Sequence, residues 1–288
     1  MIARTGLTSS SFNTAGSLLA QRSLRMNALA FNQSLNRLGT GLRINSGADD
    51  PAGLIASESL RATLAALDAE TNANVRASNI ASTADGALGE VSGLLTEAKK
   101  LVNANANQAG ITAEEKSANQ LQIDSILSTV DRLANTTSFS GQKLLTGNAT
   151  ITASGKSLPI DSATSSSLGK TVDNSTHYTL ADLKAGGALS GSSANLAIAS
   201  KVITQAINDV STQRAKIGAF DKHTLQTRIA TIETSREHML SAVSMIRDTN
   251  YAMEVSRNAR YDLLKTSSML MLGKANKRTA ISTFSILA

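Results

Sequence analysis

The residues able to carry chemistry are few and scattered. His177, His223 and His238 lie far apart, and none forms an HExxH pair or a recognisable ligand cluster. Asp49 and Asp50 are adjacent carboxylates that could hold a cation, but carboxylates just ahead of Pro51 are also what the start of a helix requires. The run Gly186-Gly187-Ala188-Leu189-Ser190-Gly191 lacks the Gly-Lys-Ser/Thr ending of a phosphate loop. Tyr251 and Glu254 read as a packed, hydrogen-bonded pair rather than an acid–base couple. Met239, Met245, Met253, Met269 and Met271 read as fillers of a helix seam rather than a cofactor box. With no cysteine, thiolate nucleophiles, thiolate metal sites and disulfides are excluded. No active site is expected, and no metal or cofactor.

The stretch from Leu42 to Leu54 is the joint around which the chain is organised. Gly39 and Gly41 loosen an incoming helix, and Ser46-Gly47 and Asp50-Pro51 punctuate the chain. Asp49 and Asp50 then stand where free backbone N–H groups and the positive end of a new helix favour negative charge.

Both sides of the joint carry seven-residue repeats. Leu24, Ala28, Phe31, Leu35, Leu38 and Leu42 are spaced 4,3,4,3,4, the alternation that keeps one seam turned to a partner helix, with residues 1–12 read as frayed. Leu60, Leu64 and Leu67 open a second helix. Beyond an Asn-rich stretch, Ile80, Ala84, Ala87, Val91, Leu94, Ala98 and Leu101 repeat the pattern up to Gln108-Ala109-Gly110. Thr112 and Glu115 have the spacing of a capping box, and Leu121, Ile123, Ile126, Leu127, Val130 and Leu133 follow on a third helix. Between Asn135 and Ser193 the chain is rich in Ser, Thr, Gly and Asn, which predicts short strands with at least one hairpin. Helix resumes with Leu196, Ala199, Ile203, Ala206, Val210, Gln213 and Ile217. Gly218 interrupts before Leu225, Ile229, Ile232, Arg236, Met239, Val243 and Ile246. A last amphipathic helix carries Ala252, Val255, Ala259, Leu263, Thr266 and Leu270.

The order is nearly palindromic, so the first helix is expected to pair with the last. The fold class expected is mainly α: long antiparallel helices in coiled-coil-like bundles formed by pairing the N- and C-terminal halves, with a small β-hairpin region in the middle. Three regions follow: residues 1–43 with 252–288, residues 44–140 with 194–251, and an insert at 141–193.

Composition agrees. Aromatics are 3% of the chain, tryptophan is absent and there are two prolines, which suits narrow helical seams better than a deep pocket. The net charge is +6, and it sits at the ends. Residues 1–48 hold five arginines and no acid, and residues 255–288 hold six basic residues against Asp262. The dispersed arginines and the want of aromatic platforms argue against nucleic acid. No run approaches the length of a membrane span, and the start lacks the apolar core of a secretory signal. Those two features alone read as cytosolic.

Several motifs resemble bacterial flagellin. They are the run from Leu35 to Ser46, Asp49-Asp50-Pro51-Ala52-Gly53-Leu54, Gly141-Gln142-Lys143-Leu144-Leu145, and the run from Ile246 to Ser256. The joint residues Arg43, Asn45, Ser46, Asp49, Asp50 and Gly53, and Asn250, Tyr251 and Glu254 near the other end, carry the likeness over about residues 14–146 and 194–275. The resemblance implies a structural subunit of the flagellar filament, exported without a cleaved signal and located outside the cell. Its partners would be copies of itself, the type III export apparatus, an export chaperone, and cap and hook-junction proteins. Leu24 to Leu42 and the row Val255, Ala259, Leu263 and Leu270 would then be assembly seams. Residues 1–43 with 252–288 would form an inner tube, 44–140 with 194–251 an outer tube, and the insert would face solvent. Ordering the ends costs roughly 1–2 kcal/mol per residue in backbone entropy, more than one narrow seam returns, so the ends are expected to fold on polymerisation.

The short insert implies that large outer domains are absent. The tail from Ala275 to Ile281 departs from the family's more apolar, Pro-containing stretch. Glu97 stands where flagellins recognised by the vertebrate innate receptor often have Arg, although Leu101 matches a neighbouring contact. Weak receptor activation is therefore expected. Ser165 to Ser167 could accept O-glycans, as in some relatives, although exposed polar loops explain them equally well. Two other readings remain: a hook–filament junction protein and a secreted coiled-coil effector.

Overall fold

A computed structural model describes residues 3–106, 110–173, 176–190 and 195–287. Its helices are α1 (Ala3–Thr40), α2 (Pro51–Ala106), α3 (Ala113–Thr136), α4 (Leu196–Phe220), α5 (Thr227–Arg247) and α6 (Tyr251–Leu287). The strands are β1 (Ser138–Phe139), β2 (Gln142–Lys143), β3 (Ala149–Ala153), β4 (Lys156–Ile160), β5 (Thr171–Asp173) and β6 (Thr176–Tyr178), paired antiparallel in sequence order. The fold is mainly α with small β hairpins, as the periodicity predicts. The chain divides into a terminal unit, residues 1–65 with 237–288, and a central unit, residues 66–236.

The hydrophobic core lies in the central unit. Along α2 the buried row is Ala77, Ala81, Ala84, Leu88, Val91, Leu95, Ala98 and Val102, spaced 4,3,4,3,4,3,4. It shares Ala84, Val91 and Ala98 with the sequence-predicted row. Ile80, Ala87, Leu94 and Leu101 flank it and pack partly buried against the core. The apolar stripe is therefore wider than one seam, because α3 and the hairpins cover α2 as well as α4. The Asn-rich stretch does not weaken the helix: α2 runs through it unbroken, and Asn74 is buried there. Likewise α1 begins at Ala3, where the sequence suggested fraying, since extending a nucleated helix costs far less than starting one.

The Thr112–Glu115 capping box forms as predicted, with both reciprocal hydrogen bonds present. Ile123, Ile126, Leu127 and Val130 of α3 are buried, but Leu121 is exposed. Gly218 does not interrupt the fourth helix. Between α4 and α5 the chain makes a π-helical turn, Asp221–Gln226. The reason is in the spacing. Buried Ile217 and Leu225 are eight residues apart, one more than the heptad allows, and a wider turn absorbs the extra residue. Asp221 holds that turn, accepting from the Ser78 hydroxyl and from Gln226 Nε2.

Acidic residues of α2 face arginines of α4 and α5. Asp85 pairs with Arg214, Glu70 with Arg228 and Asp68 with Arg236, each at 2.8 Å. The order of the pairs shows that α2 and the α4–α5 helix run antiparallel.

Candidate functional site

The two motifs furthest apart in the sequence meet in the terminal unit. Helix α1 ends at Thr40, and Gly41 takes a left-handed conformation (φ 73°), its N–H donating to the Arg37 carbonyl at 2.9 Å. The next residues run antiparallel to the segment after α5. The Thr249 N–H donates to the Gly41 carbonyl at 2.9 Å, and the Arg43 N–H donates to the Arg247 carbonyl at 2.6 Å. The Arg43 guanidinium reaches the Ile246 carbonyl at 2.5 Å and the Met245 carbonyl at 3.4 Å. A cation therefore closes the C-terminal end of α5, where unpaired carbonyls gather.

The remaining joint residues build the start of α2. Asp49 is not its cap. Its Oδ2 accepts from the N–H groups of Asn45 and Ser46 and from the Ser46 hydroxyl, and Oδ1 accepts from Gln33 Nε2. The two backbone N–H groups are the leading cause holding its carboxyl below the usual range. Asn45 Nδ2 donates to the Leu42 carbonyl. Asp50 is the cap, accepting from the Gly53 N–H. Both carboxylates thus accept from backbone N–H groups.

At the other motif, Asn250 Oδ1 accepts from the Met253 N–H and opens α6. Tyr251 and Glu254 do not pair with each other, contrary to the sequence reading. The Tyr251 hydroxyl donates to the Leu38 carbonyl, while Glu254, 4% exposed, has Arg257 at 3.5 Å. Arg247 reaches Glu58 at 2.7 Å, and this hydrogen bond is the leading cause holding the Glu58 carboxyl below its ordinary value.

Helices α1 and α6 pack antiparallel along a mixed seam, with apolar side chains mainly from α1 and polar ones mainly from α6. Asn27 Nδ2 donates to the Ser268 hydroxyl at 3.0 Å, the Ser34 hydroxyl reaches the Glu254 carbonyl at 3.4 Å, and the Lys265 ammonium lies 4.8 Å over the Phe31 ring. On α1, Leu24, Ala28, Phe31 and Leu38 are half-buried, while Leu35 is exposed; Leu42, just past the helix, is half-buried. On α6 the covered positions among the described side chains are Glu254, Asn258, Tyr261, Lys265, Ser268, Leu272 and Ala275. The sequence-predicted row of that helix is offset from them. Val255, Ala259, Leu263 (69% exposed) and Leu270 (66% exposed) point away from α1. The methionines share that fate, with Met239 half-buried and Met245, Met253, Met269 and Met271 exposed instead of filling the chain's own seam.

Of the remaining candidates, Glu97 is exposed and Leu101 half-buried on α2. Ser165 is 4% exposed and gives both its N–H and its hydroxyl to Asp131, which removes it as a glycan acceptor; Ser166 is exposed. His177, His223 and His238 lie on separate elements: β6, the π-helical turn and α5. A concavity of about 590 Å³ in the central unit has Gln120 and Asp124 on its wall. Gln120 Nε2 donates to Asp124 Oδ1 and to the Leu183 carbonyl, and Asp124 Oδ1 also accepts from the Ala185 N–H. The Arg43 clasp, the Asp49 turn and the acid–arginine ladder of α2 could not be read from sequence, although charges of opposite sign on paired helices were visible.

Fold and junction together define a structural protein whose two chain ends come together as paired helices. Residues 12–150 match the N-terminal helical region of bacterial flagellin, and residues 200–282 match its C-terminal helical region. The chain belongs to the bacterial flagellin family, the structural subunits of the flagellar filament. It is similar to the flagellin of Bacillus subtilis (strain 168), with 32% identity over 88% of this chain and 92% of that one. It is also similar to the flagellar filament 30.7 kDa core protein of Treponema maltophilum, with 30% identity over 90% of this chain and 93% of that one. Among solved structures it is similar to the crystal structure of Bacillus cereus flagellin, at 20% identity with a TM-score of 0.43, covering 55% of this chain and 86% of that one. Matches to both terminal regions favour a filament subunit over the junction-protein and effector readings.

Proposed function

We propose that this chain is exported through the flagellar type III apparatus and polymerises with copies of itself into the extracellular filament used for swimming. An export chaperone, the filament cap and the hook-junction proteins are its other partners, and it is not an enzyme. Residues 1–43 and 252–288 form the inner tube, 44–140 with 194–251 the outer tube, and 141–193 the solvent face.

One observation carries this reading. Among the described residues, every exposed large apolar side chain except Val75, Leu121 and Val172 belongs to the terminal unit. Among the same residues the buried apolar side chains, apart from Ile44 and Leu64, belong to the central unit. The described part of the central unit has a packed core, and the described part of the terminal unit exposes its apolar side chains. Exposed apolar side chains concentrated in one unit mark an interaction face, and identical neighbours would cover them. The α1–α6 seam supports the same conclusion, because a narrow, partly polar and mostly half-buried seam gains too little by itself to order two long helices and gains more when neighbours dehydrate the outward rows.

The test is seeded polymerisation of the purified protein, full length beside a truncation lacking residues 1–43 and 252–288, viewed by electron microscopy. Filaments from the full chain alone are expected. Failure of the full chain across seed and salt conditions would overturn the reading.

A further inference from the structure

The sequence holds seven methionines, and all of them fall in the terminal unit. The central core is packed with Leu, Ile, Val and Ala, and contains no methionine. Met26, Met245, Met253, Met269 and Met271 are between 52% and 77% exposed. Met253, Met269 and Met271 flank the outward row of Val255, Leu263 and Leu270 on α6. With no cysteine in the chain, thioether sulfur is the only sulfur an oxidant can meet.

We propose that these five methionines are oxidation sites that make the unassembled subunit sensitive to hydroperoxides, and that sulfoxidation blocks its incorporation into the filament. The inference rests on the reading of the outward faces as contacts between subunits. A thioether lone pair attacks the terminal peroxide oxygen. The S–O bond forms as the O–O bond breaks, the sulfur loses two electrons, and the departing oxygen takes a proton and leaves as water or alcohol. The product is a polar sulfoxide on a face that must be dehydrated for the next subunit to dock, and it brings an acceptor with no donor to meet it. Flexible methionine suits a surface that must fit several neighbours, and that use leaves the sulfur open to solvent until the neighbours arrive. Once the filament forms, the same contacts shield the sulfur.

The experiment treats free subunits and finished filaments with hydrogen peroxide, removes it with catalase, and maps sulfoxides by peptide mass spectrometry. Seeded growth is then measured for treated subunits, for treated subunits repaired by methionine sulfoxide reductases acting on both epimers, and for untreated subunits. Sulfoxides at the five positions in free protein, slower oxidation in filaments, and a critical concentration raised about tenfold or more and restored by repair are expected. A variant with Met→Leu at all five positions should grow normally and resist peroxide. Oxidised subunits growing at the untreated critical concentration, growth that repair does not restore, or filaments oxidised as fast as free subunits would overturn the proposal. Should the Leu variant fail to grow untreated, the repair arm decides the matter. If untreated wild-type subunits do not grow on seeds, the assembly reading falls and this inference falls with it.

Discussion

The Asp50 carboxylate closes over Gly53. Its Oδ1 accepts the Gly53 N–H at 2.9 Å, and Oδ2 lies 2.5 Å from where a β-carbon on Gly53 would stand. The Ile44 side chain stands 2.7 Å from the same point, and Ile44 is itself buried. A methyl group there would force the capping Asp50 carboxylate and the buried Ile44 side chain to move. Gly53→Ala should destabilise the joint by about 1–3 kcal/mol through overpacking, and Asp50→Ala by about 1 kcal/mol through loss of the cap. Light scattering during filament melting would show both as lowered midpoints, and an unchanged midpoint for Gly53→Ala would contradict the packing.

Arg43 closes the α5 terminus with a side chain and a backbone donor at once. Only the side-chain bonds can be removed by substitution. Arg43→Ala should cost about 1–2 kcal/mol, and Arg43→Lys less, since an ammonium keeps the charge at the helix end. Filament melting points in the order wild type, Lys, Ala are expected; equal melting points would mean that the bonds to α5 contribute nothing.

Acid should weaken the central unit through two carboxylates. Glu70 is held below its ordinary value, chiefly by its hydrogen bond to Arg228. For Asp131, burial pushes upward, but the Lys184 ammonium and the Ser165 N–H and hydroxyl outweigh it, and the net shift is downward. A carboxyl lowered on folding contributes stability above its unfolded value and loses it as pH falls through the folded one. Urea midpoints should therefore be flat near neutrality and fall from the ordinary carboxylate range downward. Asp131→Asn should lower the neutral midpoint and flatten the acid limb. A slope identical to wild type would remove Asp131 from the account.

The outward row of α6 separates folding from assembly. Leu263→Asp and Leu270→Asp place charge on exposed surface, so helical circular dichroism of the free subunit should change little. Seeded growth should be lost. Normal growth of both variants would show that these leucines do not meet a neighbour.

Glu97 is exposed on α2, and we propose, from the flagellin resemblance alone, that it stands at the place of an Arg in receptor-active relatives. Reporter cells bearing the vertebrate flagellin receptor should respond weakly to the pure protein and more strongly to Glu97→Arg. A strong response to wild type would contradict this.

Periodicity determined where most of the helices and the hairpin region lie and that the two ends pair, but not the start of α1 at Ala3 or the passage of α4 through Gly218. It did so because a seven-residue repeat, a capping box and a Gly/Ser/Thr-rich break are each local, with the period written into neighbouring residues. Motif resemblance determined the family. Tertiary structure decided which stripe of each amphipathic helix is covered within the chain. On α1 the apolar and covered rows share Leu24, Phe31 and Leu38. On α6 they part, leaving Val255, Leu263 and Leu270 outward and Glu254, Asn258 and Lys265 inward. It also decided the partners of Arg43, Asp49 and Tyr251. A heptad repeat reports that a helix has an apolar face, but the physics is the same whether that face meets its own chain or another copy. Only the placement of α1 against α6 tells the two apart.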